Sequence, residues 1–386
     1  ERYNKERVGM AVALIEDKIK NIRTQPLTEI VKTWNDLETM GRKANNLDRV
    51  IHLLCKADLA YLLIRVCKRK DLAHEWAYAR IREVEKDPNG RIDLWAREHN
   101  KSSIITFGQT ISDILNNPNV TIGIFSHTRP IAKAFLRQIM REFEENVVLH
   151  NAFPDVLWGK NVKQSPKWSE DDGIIVKRSE NPKEATIEAY GLVDGQPTSK
   201  HYQILIYDDI VVRESVTTPE MIAKTMSGLE QSYNLGVTPG GVRRFIGTRW
   251  HFSDAYATVK ERRTAIPREH PGKEGGTNEG KSVLWSEEVH EEKRRSMGIY
   301  NYASQILLNP KEDSLQGFNR EWIQHYNNVN EKKLNKYIVV DAASSKKKGS
   351  DYTAMWVIGV GGDNNYYVLD MVRDRLNLRE RGDALF

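Results

Sequence analysis

The chain has 386 residues, a length that predicts two or three domains. Hydrophobic residues make up 39% of the chain and charged residues 29%, which excludes a protein that is disordered throughout. No apolar run approaches ~18 residues, so no transmembrane helix is predicted. The net charge of +5 permits nucleic-acid binding without indicating it, because a binding groove depends on local charge.

Residues 1 to about 84 are predicted to be helical, and the turn formers Asp87-Pro-Asn-Gly90 mark the first break. Beyond this break, short apolar strands alternate with helical segments. The predicted strands are Arg91–Trp95, Val120–Phe125, Ile204–Tyr207 and Arg244–Gly247. The predicted helices among them are Lys101–Leu115 and Pro130–Phe143. This alternation is typical of an α/β fold in which helices cover both faces of a mostly parallel sheet.

The pattern changes after Pro310. Three further strands are predicted at Tyr337–Val340, Tyr352–Val360 and Tyr366–Leu369. The last two are joined by a run of turn formers, residues 359–365, which predicts an antiparallel hairpin. We therefore expect a helical N-terminal region at 1–84, an α/β domain at 85–317 and a smaller domain at 318–386.

The segment Trp95-Ala-Arg-Glu-His-Asn-Lys-Ser102 follows a predicted strand and opens a predicted helix. A phosphate-binding loop at this place needs a lysine for the phosphate oxygens and a hydroxyl for Mg²⁺, and Lys101 and Ser102 supply them. The usual glycines are replaced by Trp95 and Asn100. Asparagine tolerates a left-handed backbone, whereas tryptophan is not an obvious substitute. Taken alone, the segment is also compatible with a helix start that has no function.

The strand Ile204–Tyr207 leads directly into Asp208 and Asp209. An apolar strand that ends in two acids is typical of a site in which the first acid orients Mg²⁺ and the second positions or deprotonates a water. The alternative is a strand that ends in a polar turn. Thr248-Arg249 follows the next predicted strand, where small polar residues can sense a γ-phosphate. Because functional residues of α/β sheets gather at the carboxyl ends of strands, these segments together predict nucleotide hydrolysis.

Five stretches, taken in chain order, carry a resemblance to a known family. They are Ala96-Arg-Glu-His-Asn-Lys-Ser-Ser103, Tyr207-Asp-Asp-Ile-Val211, Gly247-Thr-Arg-Trp-His-Phe-Ser-Asp254, Tyr302-Ala-Ser-Gln-Ile-Leu-Leu-Asn-Pro310, and Val340-Asp-Ala-Ala-Ser344 with Ser350-Asp-Tyr-Thr353. Together they resemble the large terminase subunit of tailed bacteriophages, the motor that packages double-stranded DNA into a procapsid and cuts it. The resemblance extends from about Asp58 to about Arg375.

This resemblance implies an ASCE-type P-loop NTPase fold, a parallel sheet flanked by helices, for 85–317. For 318–386 it implies an incomplete ribonuclease-H-like nuclease domain. It also implies an ATP site in which Ser102 and Asp208 bind Mg²⁺ and Asp209 is the catalytic acid. The residues implied to bind ATP are Arg97, Asn100, Lys101, Ser102 and Ser103.

Arg97 and two further segments of the ATPase region are also candidate functional residues. Arg97 matches an arginine that senses or stabilises the γ-phosphate, and is therefore a second catalytic candidate, with a surface cation as the alternative. Gly247, Thr248 and Arg249 match the motif that couples hydrolysis to movement on DNA. Ser126-His-Thr128 follows another strand and is either a contact with DNA or nucleotide, or a plain turn.

In the smaller domain, Asp341 matches the first metal-binding, catalytic acid of ribonuclease-H-like nucleases. Such enzymes hold two Mg²⁺ or Mn²⁺ ions ~3.5–4 Å apart and need several carboxylates. Asp351 is a second metal candidate or a turn residue, and Asp370 is a weaker one. Lys346-Lys-Lys348 either meets a DNA phosphate or is a solvated charge run. The family's later acids lie beyond these strands, and we expect this chain to lack them.

The resemblance implies an ATP-driven motor subunit with ATP and Mg²⁺ as cofactors and double-stranded DNA, a portal protein and a small terminase subunit as partners. It implies that copies of the chain form a ring on the procapsid, at the portal. The location implied is the host-cell cytoplasm, with no membrane association, and the protein is expected to be absent from the mature virion. One alternative is another P-loop DNA translocase or helicase, against which the antiparallel hairpin argues. The other is a nucleic-acid-binding scaffold with a degenerate nucleotide site, suggested by Trp95 and Asn100.

Overall fold

The computed structural model describes residues 17–310, 323–343, 352–363 and 365–386. The chain divides into two units, Glu1–Leu315 and Gln316–Phe386. Asp351 and Lys346-Lys-Lys348, for which the sequence predicts roles, lie outside the described residues. Among the helices of the described ranges, none has the length and apolar character needed to cross a membrane.

The first unit is built around an eight-stranded sheet. Its strands are β1 (Arg91–Trp95), β2 (Ile122–Ser126), β3 (Trp168–Ser169), β4 (Gly173–Ile174), β5 (Ile187–Gly191), β6 (Ile204–Asp208), β7 (Val242–Gly247) and β8 (Ile266–His270). The order across the sheet is β3-β4-β5-β2-β6-β7-β1-β8. All neighbours from β5 to β8 are parallel, and β4 and β3 extend the sheet with antiparallel pairing. The predicted mostly parallel sheet is therefore confirmed.

Strand β6 is apolar from Ile204 to Tyr207 because both faces of the sheet are covered there. In β6, Ile204 and Ile206 belong to one hydrophobic cluster, and Leu205 and Tyr207 belong to the cluster on the opposite face. Successive side chains of a strand point to opposite faces, so a doubly covered strand has no polar side. The N-terminal helices contribute to the first cluster, which makes them part of the same core as the sheet.

Helices surround this sheet and begin well before it. They are α1 (Leu27–Lys43), α2 (Leu47–Ala57), α3 (Leu59–Tyr61), α4 (Glu75–Lys86), α5 (Thr110–Asn116), α6 (Arg129–Glu145), α7 (Val147–Ala152), α8 (Pro219–Ser232), α9 (Ala255–Glu261), α10 (Glu287–Met297) and α11 (Ile299–Gln305). The helix predicted from Lys101 is present, but its stretch Ser103–Gln109 is π-helical before α5 begins. Such π-helical turns are frequent at functional sites.

The second unit contains a three-stranded antiparallel sheet in the order β11-β10-β9. Its strands are β9 (Asn335–Asp341), β10 (Thr353–Val360) and β11 (Tyr366–Asp374), and the helix α12 (Leu378–Leu385) follows them. An irregularity between Val357 and Ile358 shifts the pairing of β10 with β11. Asn377 and Glu380 cap α12 reciprocally, which satisfies two backbone donors at its start. The predicted antiparallel hairpin of the last two strands is confirmed, and β9 pairs antiparallel with β10 on the other side.

Candidate nucleotide-binding site

The carboxyl ends of β2, β6, β7 and β1 meet at one edge of the sheet, because these four strands are parallel neighbours in this order. The segments at these strand ends are Ser126-His-Thr128, Asp208-Asp209, Thr248-Arg249 and the candidate phosphate-binding loop, residues 95–102, which we call the P-loop segment. The structure therefore brings to one edge the four segments that were singled out in the sequence.

Ser102 and Asp208 are in direct contact. The Ser102 hydroxyl donates a hydrogen bond to Asp208 Oδ1 at 3.1 Å, and the hydroxyl of Thr106 donates to Asp208 Oδ2. Sequence reasoning missed Thr106. The available signal was its place four residues after Ser102, since residues at that spacing share one side of a helix.

Asp208 has no exposed surface. The pKa of its carboxyl is raised to about 7, chiefly by burial and then by the charge of Asp209, against the lowering effects of Thr106, Lys101 and Ser102. A buried carboxyl whose closest polar partners are two hydroxyls suits a divalent cation, because the cation supplies the missing positive charge. Ser102 and Asp208 are thus the residues that can hold Mg²⁺ at this edge.

Asp209 adopts a left-handed backbone conformation, with φ of +48°. Its N–H donates to the carbonyl of Ile246 at 3.0 Å, and its carbonyl accepts from the N–H of His127 at 3.3 Å. Short polar residues tolerate this conformation better than most others. The half-buried Asp209 is therefore held by backbone bonds on both sides, from β7 and from the segment after β2.

The P-loop segment takes its turn without glycine. Glu98 and Asn100 have φ of +64° and +60°, so the left-handed conformation that the sequence suggested for Asn100 is confirmed. Trp95, which was unexplained in the sequence, ends β1 with its side chain fully buried. Its indole N–H donates to Asp93 Oδ1 at 3.0 Å, and its ring meets that of Trp76 edge-on at 5.9 Å. Tryptophan stands here because it belongs to the core.

Three consecutive residues of the P-loop segment are contacted by one stretch of chain, residues 285–305, which we call the clasp. Gln305 accepts hydrogen bonds from Arg97 through its backbone carbonyl at 2.9 Å and through Oε1 at 3.1 Å. Lys293 Nζ lies 2.7 and 2.8 Å from the two carboxylate oxygens of Glu98. The ring of Trp285 meets the imidazole of His99 at 4.6 Å. Local sequence patterns could not reveal these contacts between distant positions.

His99 is fully buried. Burial lowers the pKa of its imidazole to about 4, so the ring is neutral at physiological pH. Nδ1 donates to the carbonyl of Arg97 at 2.9 Å, whereas Nε2 has no hydrogen-bond partner among the residues that the structure describes. The ring is thus fixed beside the left-handed turn at Asn100 and carries no charge there.

Lys101 and Ser103 occupy different surroundings. Lys101 is 7% exposed and close enough to Asp208 to influence its titration. The Ser103 hydroxyl accepts a hydrogen bond from Arg69 Nη2 at 2.8 Å, and the same guanidinium forms two bonds with Asp71. The structure therefore gathers Lys101, Ser102 and Asp208 and directs the Ser103 side chain to another partner.

Gly247 and Tyr256 join the ends of β6 and β7. A Cβ at Gly247 would lie 2.2 Å from the Tyr256 hydroxyl oxygen, so only glycine fits at this position. That hydroxyl donates to the carbonyl of Ile246 at 3.0 Å and accepts from the N–H of Ile210 at 3.2 Å. Sequence reasoning missed Tyr256, which lies two residues beyond the stretch that carries the resemblance.

Thr248 and Arg249 begin the loop after β7, and both are buried. The Arg249 guanidinium is bound within this loop: Nε lies 3.1 Å from Asp254 Oδ2, and Nη2 donates to the carbonyls of His251 and Phe252 at 3.1 Å. Asp254 also caps α9. The arginine of the expected coupling motif therefore fixes the shape of its own loop.

Ser126 is the last residue of β2, and His127 follows it beside Asp209. The Ser126 hydroxyl and His127 Nδ1 are buried without a hydrogen-bond partner in the part of the chain that the structure describes. Buried polar atoms without partners are uncommon in folded proteins. The structure places these residues beside Asp209, and their contact with DNA or nucleotide stays a prediction.

In the second unit, Asp341 ends β9 opposite Ala354 of β10, whereas Asp370 in β11 lies opposite Val357. By strand geometry these two acids are roughly 14 Å apart, too far to bind one ion together. The Asp370 side chain accepts from the N–H of Met371 at 2.8 Å. Within the described ranges, no group of three or more histidine, cysteine or acidic side chains is placed to hold a metal.

Comparison with known proteins gives similarity only at the level of solved structures. No protein-family model matches the chain, and no curated protein matches its sequence. The large terminase of the thermophilic bacteriophage D6E is similar in its complex with ADP, at 12% identity over 77% of this chain and 68% of that chain, with a TM-score of 0.38. Its complex with ATP-γ-S gives 10% identity, the same coverage and a TM-score of 0.36.

The large terminase of bacteriophage HK97 is similar at 10% identity, over 74% of this chain and 59% of that chain, with a TM-score of 0.38. Similarity this distant, with TM-scores below 0.5, carries no weight for activity or site residues. The α/β fold follows from the strand order and pairing of the chain itself. The solved structures named here are large terminases of bacteriophages, and the sequence motifs of this chain resemble that same family.

Proposed function

We propose that the first unit binds ATP with Mg²⁺ and hydrolyses it. The observation that carries this proposal is the contact of the Ser102 hydroxyl with Asp208 at 3.1 Å. It joins the helix start after β1 to the acid pair after β6, and these are the two parts that hold metal and phosphate in P-loop enzymes. The raised pKa of the buried Asp208 carboxyl supports a cation at the same position.

Each nearby residue has a role in this proposal. Lys101 neutralises the phosphate oxygens, while Ser102 and Asp208 hold Mg²⁺, whose charge stabilises the developing charge on the phosphates. Asp209 orients the attacking water and accepts its proton. Arg97 directs its guanidinium to the γ-phosphate, and the backbone turn at Asn100 exposes N–H groups to the phosphates.

Ser103 remains a candidate ATP-binding residue in this proposal, through the helix start rather than through a hydroxyl that Arg69 already engages. For Gly247, Thr248 and Arg249 we propose coupling of hydrolysis to movement, because their loop begins beside the acid pair. The side chain of Arg249 is bound within its own loop, whereas none of the described residues of this loop forms a hydrogen bond with the side chain of Thr248. We therefore propose Thr248 as the sensor of the γ-phosphate. The left-handed Asn100 and the core position of Trp95 favour a working loop over a degenerate one.

At the level of the whole protein we propose an ATP-driven motor subunit that moves double-stranded viral DNA into a procapsid. The motif resemblance supports this proposal, together with the partners it implies: a portal protein, a small terminase subunit and further copies of this chain in a ring at the procapsid portal, in the host cytoplasm. We also propose that the second unit belongs to a nuclease domain in which Asp341, with Asp351 as a further candidate, binds Mg²⁺ or Mn²⁺. Its antiparallel meander favours this reading over a helicase.

Steady-state phosphate release from ATP tests the proposed hydrolysis. We expect Lys101→Ala and Asp208→Ala to abolish turnover, because one removes the charge on the phosphates and the other removes the metal ligand. Asp209→Asn should retain nucleotide binding and lose most of the rate. The exposed Lys163 provides a matched control, and Lys163→Ala should behave as the wild type. Unchanged turnover in Lys101→Ala would remove the nucleotide site from this edge of the sheet.

A further inference from the structure

Gln305 contacts Arg97 at two points, although the two residues are 208 positions apart. It is the last residue of α11 and is 4% exposed. Its backbone carbonyl accepts the N–H of Arg97 at 2.9 Å, and its side-chain Oε1 accepts Arg97 Nη1 at 3.1 Å. One buried residue therefore fixes both the backbone and the guanidinium of an arginine whose side chain is otherwise exposed.

This double contact matters because a free arginine side chain has many rotamers. Ordering such a side chain costs conformational entropy. If the arginine is already ordered before nucleotide binds, this entropy is not lost in the binding step. The guanidinium has five N–H donors in a rigid fork. Gln305 accepts from one of them, so the fork keeps donors for phosphate oxygens.

The uncharged side chain of Gln305 is suited to this contact with Arg97. Gln305 offers a neutral oxygen, whereas Glu98, in the same turn, has its carboxylate bound by Lys293 of the clasp at 2.7 and 2.8 Å. A carboxylate at position 305 would form an ion pair with Arg97 and reduce the positive charge available to an anion. A neutral acceptor orients the guanidinium and leaves its charge undiminished.

We propose that Gln305 is a positioning residue that holds the Arg97 guanidinium in the orientation it needs to act on the γ-phosphate, an inference that rests on the proposed ATP hydrolysis. It gives a role to the stretch Tyr302–Pro310, which the sequence analysis singled out without assigning a function. Gln305 itself does not touch the nucleotide. Its effect on turnover passes entirely through Arg97.

The test measures kcat and KM for ATP in Gln305→Met, Gln305→Glu, Arg97→Ala and the double variant Arg97→Ala/Gln305→Met. Methionine preserves the volume without the acceptor, and we expect kcat to fall about tenfold or more, as for the loss of one hydrogen bond to a charged group, with KM changed no more than ~3-fold. Gln305→Glu keeps the contact and should lower kcat because it neutralises Arg97. Gln138→Met, at an exposed position in α6, is the matched control.

The double variant separates positioning from a structural role. If Gln305 acts through Arg97, adding Gln305→Met to Arg97→Ala causes no further loss, whereas a purely structural effect multiplies with it. Wild-type kcat in both Gln305 variants, or multiplicative loss in the double variant, would overturn the inference. Far-UV circular dichroism and thermal melting identify a Gln305→Met protein that fails to fold, and Gln305→Glu then decides. If Arg97→Ala and Lys101→Ala both hydrolyse ATP normally, the proposed function itself fails.

Discussion

His99 shows how one side chain connects the shape of the P-loop segment to pH. Its neutral ring lies against Trp285 and Trp76, with centroid distances of 4.6 and 5.3 Å. Burial lowers the pKa of His99 from 6.5 to about 4. Between about pH 4 and pH 6.5, the folded chain therefore binds fewer protons at this ring than the unfolded chain does. Stability contributed by the neutral ring is therefore present above pH 6.5 and is lost as pH falls towards 4.

We predict that His99→Phe reduces this acid sensitivity. Phenylalanine fills the space between the indole rings and cannot be protonated, so the variant avoids a penalty of up to about 3 kcal/mol at low pH. Urea unfolding at pH 7.5 and pH 5.0 measures the effect, and the drop between the two values should be smaller in His99→Phe than in the wild type. Some drop remains, because burial also lowers the pKa values of His52 and His290. An equal drop in both proteins would show that His99 is not buried in this way.

At the candidate site, the residue types that form the site were easier to predict than the backbone conformation that they adopt. Lys101, Ser102, Asp208 and Asp209 could be singled out because residue type and position after a strand are both readable. The left-handed backbone at Asn100 was foreseeable from residue type, whereas that at Glu98 was not, since glutamate has no preference for it. The Ser102–Asp208 contact required three-dimensional placement of two strands.

Among the elements, the ends of β6 and β7 are joined through a tyrosine from α9. The Tyr256 hydroxyl bonds to the backbone of both Ile246 and Ile210, and Gly247 leaves the space that this ring requires. Burial and the nearby Asp209 and Asp208 raise the pKa of Tyr256, so it remains a neutral donor. The acid pair and the start of the loop after β7 are therefore supported by the same buried side chain.

We predict that Gly247→Ala destabilises the first unit and impairs ATP turnover together. The added methyl group meets the Tyr256 hydroxyl oxygen at 2.2 Å and must displace the ring, which costs about 1–3 kcal/mol by overpacking. Urea unfolding and phosphate release provide the two measurements. Gly382→Ala is the control, because a Cβ there meets nothing within 4 Å. Stability and turnover at wild-type values in Gly247→Ala would contradict the described packing.

The elements also differ in how far sequence could predict them. Strands β1, β2, β6 and β7 were predicted within two residues at each end, because a short run rich in apolar residues and bounded by turn formers has few other interpretations. The antiparallel pairing of β10 with β11 followed from the glycine-rich connection. The order of the strands and the contacts of the clasp with the P-loop segment could not be predicted, because a single sequence has no local signal for pairs of residues far apart in the chain. The clasp contacts Arg97–Gln305 and Glu98–Lys293 join residues 208 and 195 positions apart.

At the scale of the whole molecule, we propose ATP hydrolysis in the first unit and a nuclease role for the second unit. The two proposals rest on different structural observations. The first unit gathers a hydroxyl, a lysine and two acids at one edge of its sheet. In the described ranges of the second unit, strand register keeps the candidate acids Asp341 and Asp370 apart, and no group of three or more histidine, cysteine or acidic side chains is placed to hold a metal.

We therefore predict that this 386-residue chain cuts DNA weakly or not at all, because a two-metal site needs several carboxylates around one pair of ions. Digestion of supercoiled plasmid with added Mn²⁺ measures this. A longer chain that supplies further acids should cut and should lose that activity in Asp341→Ala. Strong, Asp341-dependent cutting by the 386-residue chain would mean that the ligand set lies within it, and that the domain has been misread.

The central claim is that the Ser102 hydroxyl and Asp208 together hold the metal used in ATP hydrolysis. Its most direct test is phosphate release by Ser102→Cys with Mg²⁺, Mn²⁺ and Cd²⁺ in parallel. A thiolate is a poor ligand for Mg²⁺ and a better one for softer cations, so we predict strong loss with Mg²⁺ and recovery relative to the wild type with Mn²⁺ or Cd²⁺. Ser227→Cys, at an exposed position in α8, should follow the wild type with every metal. Wild-type turnover of Ser102→Cys with Mg²⁺, or equal loss with all three metals, would contradict the claim.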